Sequence, residues 1–389
     1  MFSFDVLQTD GSARLGRLAT GHGQVATPVF MPVGTVGSVK GLAPDQLRAT
    51  GAQIVLANAY HLMLRPGAET VARLGGLHTM MGWDGPILTD SGGYQIFSLA
   101  HLRSIDDDGV TFQSHIDGAA VRLTPARAME IQGLLGADII MQLDECPPGR
   151  APKDQVADAV RRSIEWAGQC KAAWETAAVR PRSASGPSAT GDAGKRQALF
   201  AIQQGGMFAD LRAESAERIV ELDLPGYAIG GLSVGEGHEA MTDVLDSIDR
   251  QLPAERPRYL MGVGEPRDVL AAVLRGVDMF DCVLPTRNAR NAQAFTWAGR
   301  VRLRNARWAE DARPLDENCD CYSCRNFSRG TLRHLFQAGE MLGPTLVTIH
   351  NLHFFHQFMS AIRQAITSGR LRQQGRQWLA AMYQSAEDD

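Results

Sequence analysis

A (β/α)8 barrel is the fold that this sequence predicts, and three observations point to it. Eight short apolar runs recur along the 389 residues, stretches of helical periodicity separate them, and polar residues gather at the C-terminal ends of the runs. Continuous apolar runs suit strands buried on both faces, as in parallel sheets. Strands alternating with helices close into a barrel whose C-terminal rim carries the chemistry. An open doubly wound sheet is the competing arrangement.

In order, the runs are PVFMPVG (28–34), QIVLAN (53–58), PILTD (86–90), DIIMQLD (138–144), ALFAIQQ (198–204), GYAIGGL (226–232), RYLMGVG (258–264) and VDMFDCVL (277–284). Among the intervals, PKDQVADAVRRSIEWAGQCKAAW (152–174) is long and amphipathic, and DLRAESAERIVEL (210–222) and GHEAMTDVLDSIDRQL (237–252) follow it. PRDVLAAVLRG (266–276) opens on proline and closes on glycine, the asymmetry of a helix with both ends marked. Two stretches interrupt the alternation. GVTFQSHIDGAAVRLT (109–124) alternates around Asp117-Gly118 and reads as an inserted hairpin. RPRSASGPSATGDAG (180–194) is rich in small and turn-forming residues and reads as a disordered surface loop.

Hydrophobic residues at 44% and charged residues at 21% describe a soluble chain with a large core. No apolar run approaches the ~18 residues of a membrane span, and the N-terminus lacks a basic-then-apolar secretion signal. A cytoplasmic protein is expected. Net charge is −4, yet residues 285–334 hold ten Arg against five acids, a local +5 that leaves −9 elsewhere. A solvated basic face and a phosphate-binding surface both account for that stretch.

Asn58, Asp90, Asp144, Gln204, Gly231 and Asp281 stand at the C-terminal ends of six runs. Singly, each reads as a polar strand terminator; three carboxylates and an amide at equivalent ends point to a pocket. Carboxylates crowded in a partly dry site repel one another, which separates their pKa values and roles. One can act as a nucleophile at an anomeric carbon, one can exchange a proton, and one can accept a substrate's N–H groups. Tyr94 and Met261 read more readily as core residues than as platforms for a ring. The cluster Cys319, Cys321 and Cys324 supplies three thiolates for a tetrahedral zinc, with His334, His350, His353 and His356 as candidates for the fourth ligand. Dinucleotide, Walker A and nucleophile-elbow signatures are incomplete or missing.

LTDSGGYQIFSL, MQLDEC, IQQGG, YAIGGLSVGEG, RYLMGVG, FDCVLPTRNARN and CDCYSCRN…IHNLHFF, taken in this order, closely resemble bacterial tRNA-guanine transglycosylase across nearly the whole chain. The resemblance implies an irregular (β/α)8 TIM-type barrel over 1–300, a zinc-binding subdomain over 301–350 and a C-terminal helix over 351–389. It implies exchange of the wobble guanine of GUN-anticodon tRNAs for preQ1, within queuosine biosynthesis. Asp281 matches the family's nucleophile and Asp90 its general acid/base. Asp144, Gln204, the Gly231 N–H, the Leu232 carbonyl and Ser91 match its base contacts, with Tyr94 and Met261 sandwiching the ring. Val234 and Cys146 match the form that uses preQ1. Arg287 and Arg290 match contacts to the tRNA anticodon loop. Cys319, Cys321, Cys324 and His350 match the ligands of one structural Zn2+, and a homodimer is implied. The chain departs from the family pattern at Ala292, where many members have glycine, at Asp84, often a histidine, and in the length of the 180–194 loop. Two other readings compete: a nucleoside or glycoside hydrolase on the same barrel, and a non-catalytic RNA-binding subunit.

Overall fold

The structure is a computed structural model and describes residues 2–99, 102–179, 197–233 and 235–384. The 180–194 loop and Val234 lie outside the described residues. Three antiparallel strands come first: β1 (Ser3–Asp10), β2 (Ala13–Thr20) and β3 (Gly23–Thr27). Sequence patterning does not single them out, because β1 is exposed along most of its length and carries little alternation. The barrel begins with β4 (Val29–Met31), β5 (Val55–Ala57) and β6 (Ile87–Thr89). An inserted sheet of β7 (Arg103–Asp106), β8 (Gly109–Gln113) and β9 (Ala120–Leu123) follows. The expected hairpin is β8–β9, and β7 adds a third, mostly exposed strand. β10 (Ile139–Met141), β11 (Ala198–Gln203), β12 (Gly226–Ile229), β13 (Arg258–Leu260) and β14 (Met279–Asp281) complete the barrel.

Each of the eight predicted runs contains one barrel strand. The strands pair in the order β4-β14-β13-β12-β11-β10-β6-β5, all parallel. The two ends of this sheet meet where Val33 bridges Leu56: Gly34 N–H donates to Leu56 O at 2.6 Å, and Leu56 N–H donates to Pro32 O at 3.0 Å. That closure decides for the barrel over the open sheet. The helix expected over 237–252 is broken into His238–Leu245 and Ile248–Gln251.

The N-terminal sheet plugs the end of the barrel where the strands begin. Leu18 and Val25 join Leu88, Phe200, Tyr259 and Met279 in the barrel interior, and Phe2 meets Phe200 edge-on with centroids 5.7 Å apart. The plug is fastened by a buried ion pair. Asp278, just before β14, accepts from Arg14 Nε at 3.1 Å, from Arg14 Nη2, and from the Arg258 N–H at 2.7 Å. Arg14 also donates to the carbonyls of Ala254 and Arg256.

Beyond the hairpin of β15 (Gln293–Thr296) and β16 (Gly299–Arg302), the chain builds a second small core from Val301, Leu303, Leu315, Leu332, Phe336, Leu346 and Val347. The helix Leu342–Thr367 starts in that core and continues into the main one through Leu352, Phe355 and Ile362. It runs without interruption across the expected boundary between residues 350 and 351. Ala292 adopts φ 61°, the left-handed conformation that glycine favours, while its methyl group is buried. The backbone strain of ~1 kcal/mol is offset by burial of a methyl worth about as much. No helix among the described residues is long and apolar enough to cross a membrane.

Removing Asp278 leaves a buried guanidinium without its charge partner. Asp278→Ala should therefore lower unfolding free energy by about 3–5 kcal/mol in urea denaturation, and a loss below ~1 kcal/mol would show that the plug is held by other contacts.

Candidate active site

The C-terminal ends of the barrel strands surround a cavity of about 510 Å³. Asp90, Asp144, Gln204, Gly231, Met261 and Asp281 all line it, so five strand-end residues predicted from the sequence converge together with Met261. Asn58 lines it as well.

The three carboxylates differ in how they are held. Asp90 accepts from the Ala59 N–H at 2.8 Å, from Gln95 Nε2 at 2.9 Å and from Asn58 Nδ2. Burial pushes its pKa up to about 6, the charge of Asp281 pushes the same way, and the three donors oppose them. Asp144 accepts from Gln204 Nε2 at 2.7 Å and Ser91 Oγ at 3.0 Å. Burial pushes it to about 6 as well, against those two hydrogen bonds. Asp281 accepts from Tyr259 OH at 2.6 Å and the Gly262 N–H at 2.8 Å, both on Oδ1. Its Oδ2 has no protein donor among the described residues. Burial raises its pKa above the usual carboxylate value, opposed by Tyr259 and Gly262.

A second group lies in the C-terminal region. The Sγ atoms of Cys319, Cys321 and Cys324 are 3.6, 3.6 and 3.3 Å from His350 Nδ1. Tetrahedral zinc, with bonds of ~2.3 Å to sulfur and ~2.1 Å to nitrogen, requires sulfur–nitrogen separations of about 3.6 Å. His350 Nε2 donates to the Phe295 carbonyl at 2.7 Å, which leaves the Nδ1 lone pair free to coordinate. These four residues can hold a metal ion. Of the other candidate histidines, His353 pairs with Asp320 at 2.9 Å, and His356 is half-buried, with its pKa pushed down to about 3 mainly by desolvation. Asn351, beside His350, donates to the carbonyls of Pro285 (2.9 Å) and Gln293 (3.0 Å) and accepts from the Phe295 N–H (3.0 Å). His22, His78 and Asp138 also gather, at the opposite end of the barrel. Their imidazoles stack at 3.6 Å and 23°, so the in-plane lone pairs do not converge on one point, and both rings bond Asp138 instead.

The family model described as queuine tRNA-ribosyltransferase matches residues 9–384. The chain belongs to that family. It is 54% identical over 369 residues to the queuine tRNA-ribosyltransferase of Novosphingobium aromaticivorans, with 95% of each chain covered. It is equally identical, over the same length, to that of Sphingopyxis alaskensis. The protein of that name from Zymomonas mobilis is 50% identical over 372 residues, covering 96% of this chain and 93% of that one.

In this member of the queuine tRNA-ribosyltransferase family, the remaining predicted residues fall as follows. Leu232 and Cys146 are buried in the cavity wall, and Tyr94, 52% exposed, stands at its mouth. Gly231 has φ 67°, and a Cβ there would sit 2.5 Å from Gln204 Oε1, so a side chain at this position would be strained and would displace the Gln204 amide. Arg287 lines the cavity, whereas Arg290 does not and donates to the Thr286 carbonyl at 3.0 Å. Asp84, the departure noted in the sequence, pairs with Arg48 on the surface at 2.8 Å. Sequence reasoning missed Gln95 and Tyr259 and the N–H groups of Ala59 and Gly262. Tyr259 was recoverable, since strand alternation turns it into the barrel while Leu260 joins the outer core.

Raised carboxylate pKa values set opposite trends for binding and for folding. Asp144 can accept a pair of ligand N–H groups only when ionised, so affinity for a base that offers such a pair to it should fall as pH drops through about 6. Asp90 and Asp144 bind protons more tightly when folded, so their contribution to folding stability is full only below about pH 4 and is lost as pH rises through 6. Guanine affinity should therefore decline between about pH 6.5 and 5 while the thermal midpoint holds. A parallel collapse of both would mean that acid acts by unfolding.

Proposed function

We propose that this chain is a glycosyltransferase that replaces the wobble guanine of GUN-anticodon tRNAs with preQ1, in queuosine biosynthesis, through a covalent aspartyl-ribose intermediate. The observation that carries the reading is the free Oδ2 of Asp281. Every oxygen of Asp90 and Asp144 already accepts a hydrogen bond, while both donors to Asp281 fall on Oδ1. Asp281 Oδ2 attacks the ribose C1′, the bond from C1′ to N9 of guanine breaks, and its electron pair leaves with the base. Asp90, with a pKa of about 6, gives a proton to the departing base. It then takes the N9 proton of preQ1, whose nitrogen attacks C1′ and releases the Asp281 carboxylate.

Asp144 accepts from the ring N–H and exocyclic amine of the base. Gln204 turns one Nε2 proton to Asp144 and keeps the other for the base carbonyl, beside the Gly231 N–H. The Leu232 carbonyl meets the aminomethyl group of preQ1, Ser91 steadies Asp144, and Tyr94 and Met261 cover the ring faces. Val234 and Cys146 shape the site for preQ1. Arg287 and Arg290 contact the anticodon loop, where the target base must be unstacked before C1′ is reachable. The work divides among a barrel over 1–300, a metal-binding subdomain over 301–350 and a C-terminal segment over 351–389. We assign the Cys3His group to one structural Zn2+, on the strength of its thiolate-rich, closed ligand set. A cytoplasmic homodimer completes the reading.

Incorporation of labelled guanine into unmodified tRNA-Tyr tests the exchange. Wild type should incorporate it, and Asp281→Asn should lose about 10⁴-fold or more of the rate. Release of guanine without incorporation would favour a hydrolase, and binding without exchange would leave an RNA-binding subunit. Metal analysis should find about one zinc per chain, and chelation should disrupt the region around Cys319–Cys324 and abolish tRNA binding. Full binding by a verified metal-free sample would remove the structural role.

A further inference from the structure

Behind the wall that carries Gly231 lies a guanidinium with no carboxylate bonded to it among the described residues. Arg212, on the helix Ala209–Val220, is 1% exposed. It donates to three backbone carbonyls: Nε to Gly206 at 2.9 Å, Nη1 to Gln203 at 3.0 Å and Nη2 to Gly230 at 2.8 Å. A buried charge is costly to keep, and neutral side chains can fill such a space. Burial lowers its pKa only to about 10, so it stays charged at neutral pH.

We propose that Arg212 is a positioning residue that aims the Gly231 N–H into the cavity at the carbonyl oxygen of the bound base, and so sets the preference for 6-oxopurines. This rests on the base-exchange reading above. The argument is peptide geometry. In a trans peptide the C=O of one residue and the N–H of the next point in opposite directions. Arg212 holds the Gly230 carbonyl on the helix side, which turns the Gly231 N–H to the cavity side, where Gly231 is part of the wall. A charged donor on that carbonyl also polarises the peptide and strengthens the N–H as a donor.

The same side chain fixes the neighbouring strand end. Gln203 O accepts from both Arg212 Nη1 and the Gly230 N–H, the latter at 3.0 Å, so the guanidinium ties β11 to β12 directly below Gln204 and Gly231. Ser215, one turn along the helix, accepts the Gln204 N–H at 3.1 Å. Gly205 lets the helix come this close, since a Cβ there would lie 2.7 Å from Arg212 N. A planar fork donates from three separate nitrogens to carbonyls spread around its edge, whereas the three N–H groups of a lysine all leave one atom and cannot reach the same spread.

Arg212→Lys and Arg212→Met test the assignment, with guanine and 2-aminopurine as probes, each variant being compared with wild type on the same base; the second base lacks the 6-oxo group and, with it, the N1–H, a loss common to wild type and variants. Loss of one aimed hydrogen bond should raise KM for guanine about tenfold with a smaller change in kcat, and leave inhibition by 2-aminopurine within about twofold of wild type. Equal weakening of both bases, or a fall in kcat at unchanged KM, would overturn the proposal. Should the Met variant fail to fold, the Lys variant decides. In wild type, where no variant has to fold, the Gly231 amide resonance should shift on adding guanine and stay in place with 2-aminopurine, and an amide indifferent to the carbonyl would also overturn it. Absence of guanine exchange by wild type would instead remove the function reading on which the inference stands.

Discussion

Withdrawal of three carboxylates from water is the constraint that the upper face of this barrel is built to manage. Asp90, Asp144 and Asp281 line one cavity, where desolvation raises the pKa of each and the charge of Asp281 adds to the effect on Asp90. Neutral donors make the arrangement tolerable. Asn58, Gln95, Ser91, Gln204, Tyr259 and two backbone N–H groups each contribute a hydrogen bond, and none contributes a charge. The carboxylates are held in place yet not neutralised, so their charge stays available to a substrate.

Asp278 shows the alternative three residues before Asp281. At the plugged end of the barrel it meets the Arg14 guanidinium and is spent entirely on structure. The two ends of β14 thus use the same side chain in opposite ways. Where the strand begins, an ion pair closes the fold; where it ends, dipoles alone hold an acid that keeps one oxygen free. Such a division suits a barrel, whose strand starts serve stability and whose strand ends serve chemistry.

The barrel was legible because its strands are buried on both faces and so read as uninterrupted apolar runs. β1 and β7 were not, because exposed strands carry no such pattern. Polar strand ends marked out Asp90, Asp144 and Asp281 before any contact was known. The donors that hold them were harder to see, since the N–H groups of Ala59 and Gly262 belong to the backbone and have no letter in the sequence. Cysteine spacing announced a metal site, but four histidines could have completed it. Geometry separates them: His350 alone points Nδ1 at all three sulfurs, whereas His353 is turned to Asp320. Arg212 was hidden for another reason. On an amphipathic helix an arginine reads as solvated, and only the fold reveals it to be enclosed.

The hydrogen bonds of Asn351 have a consequence for how the chain comes into being. A ribosome delivers all three cavity aspartates before it reaches this residue, and Pro285, which Asn351 holds, precedes it by 66 positions. The short helix Leu284–Arg290, with Arg287 and Arg290 on it, is thus anchored by a part of the protein made long afterwards. A nascent chain acquires its cavity acids early and its anchored arginines late, so an unfinished chain carries the three carboxylates before the helix beside them is secured.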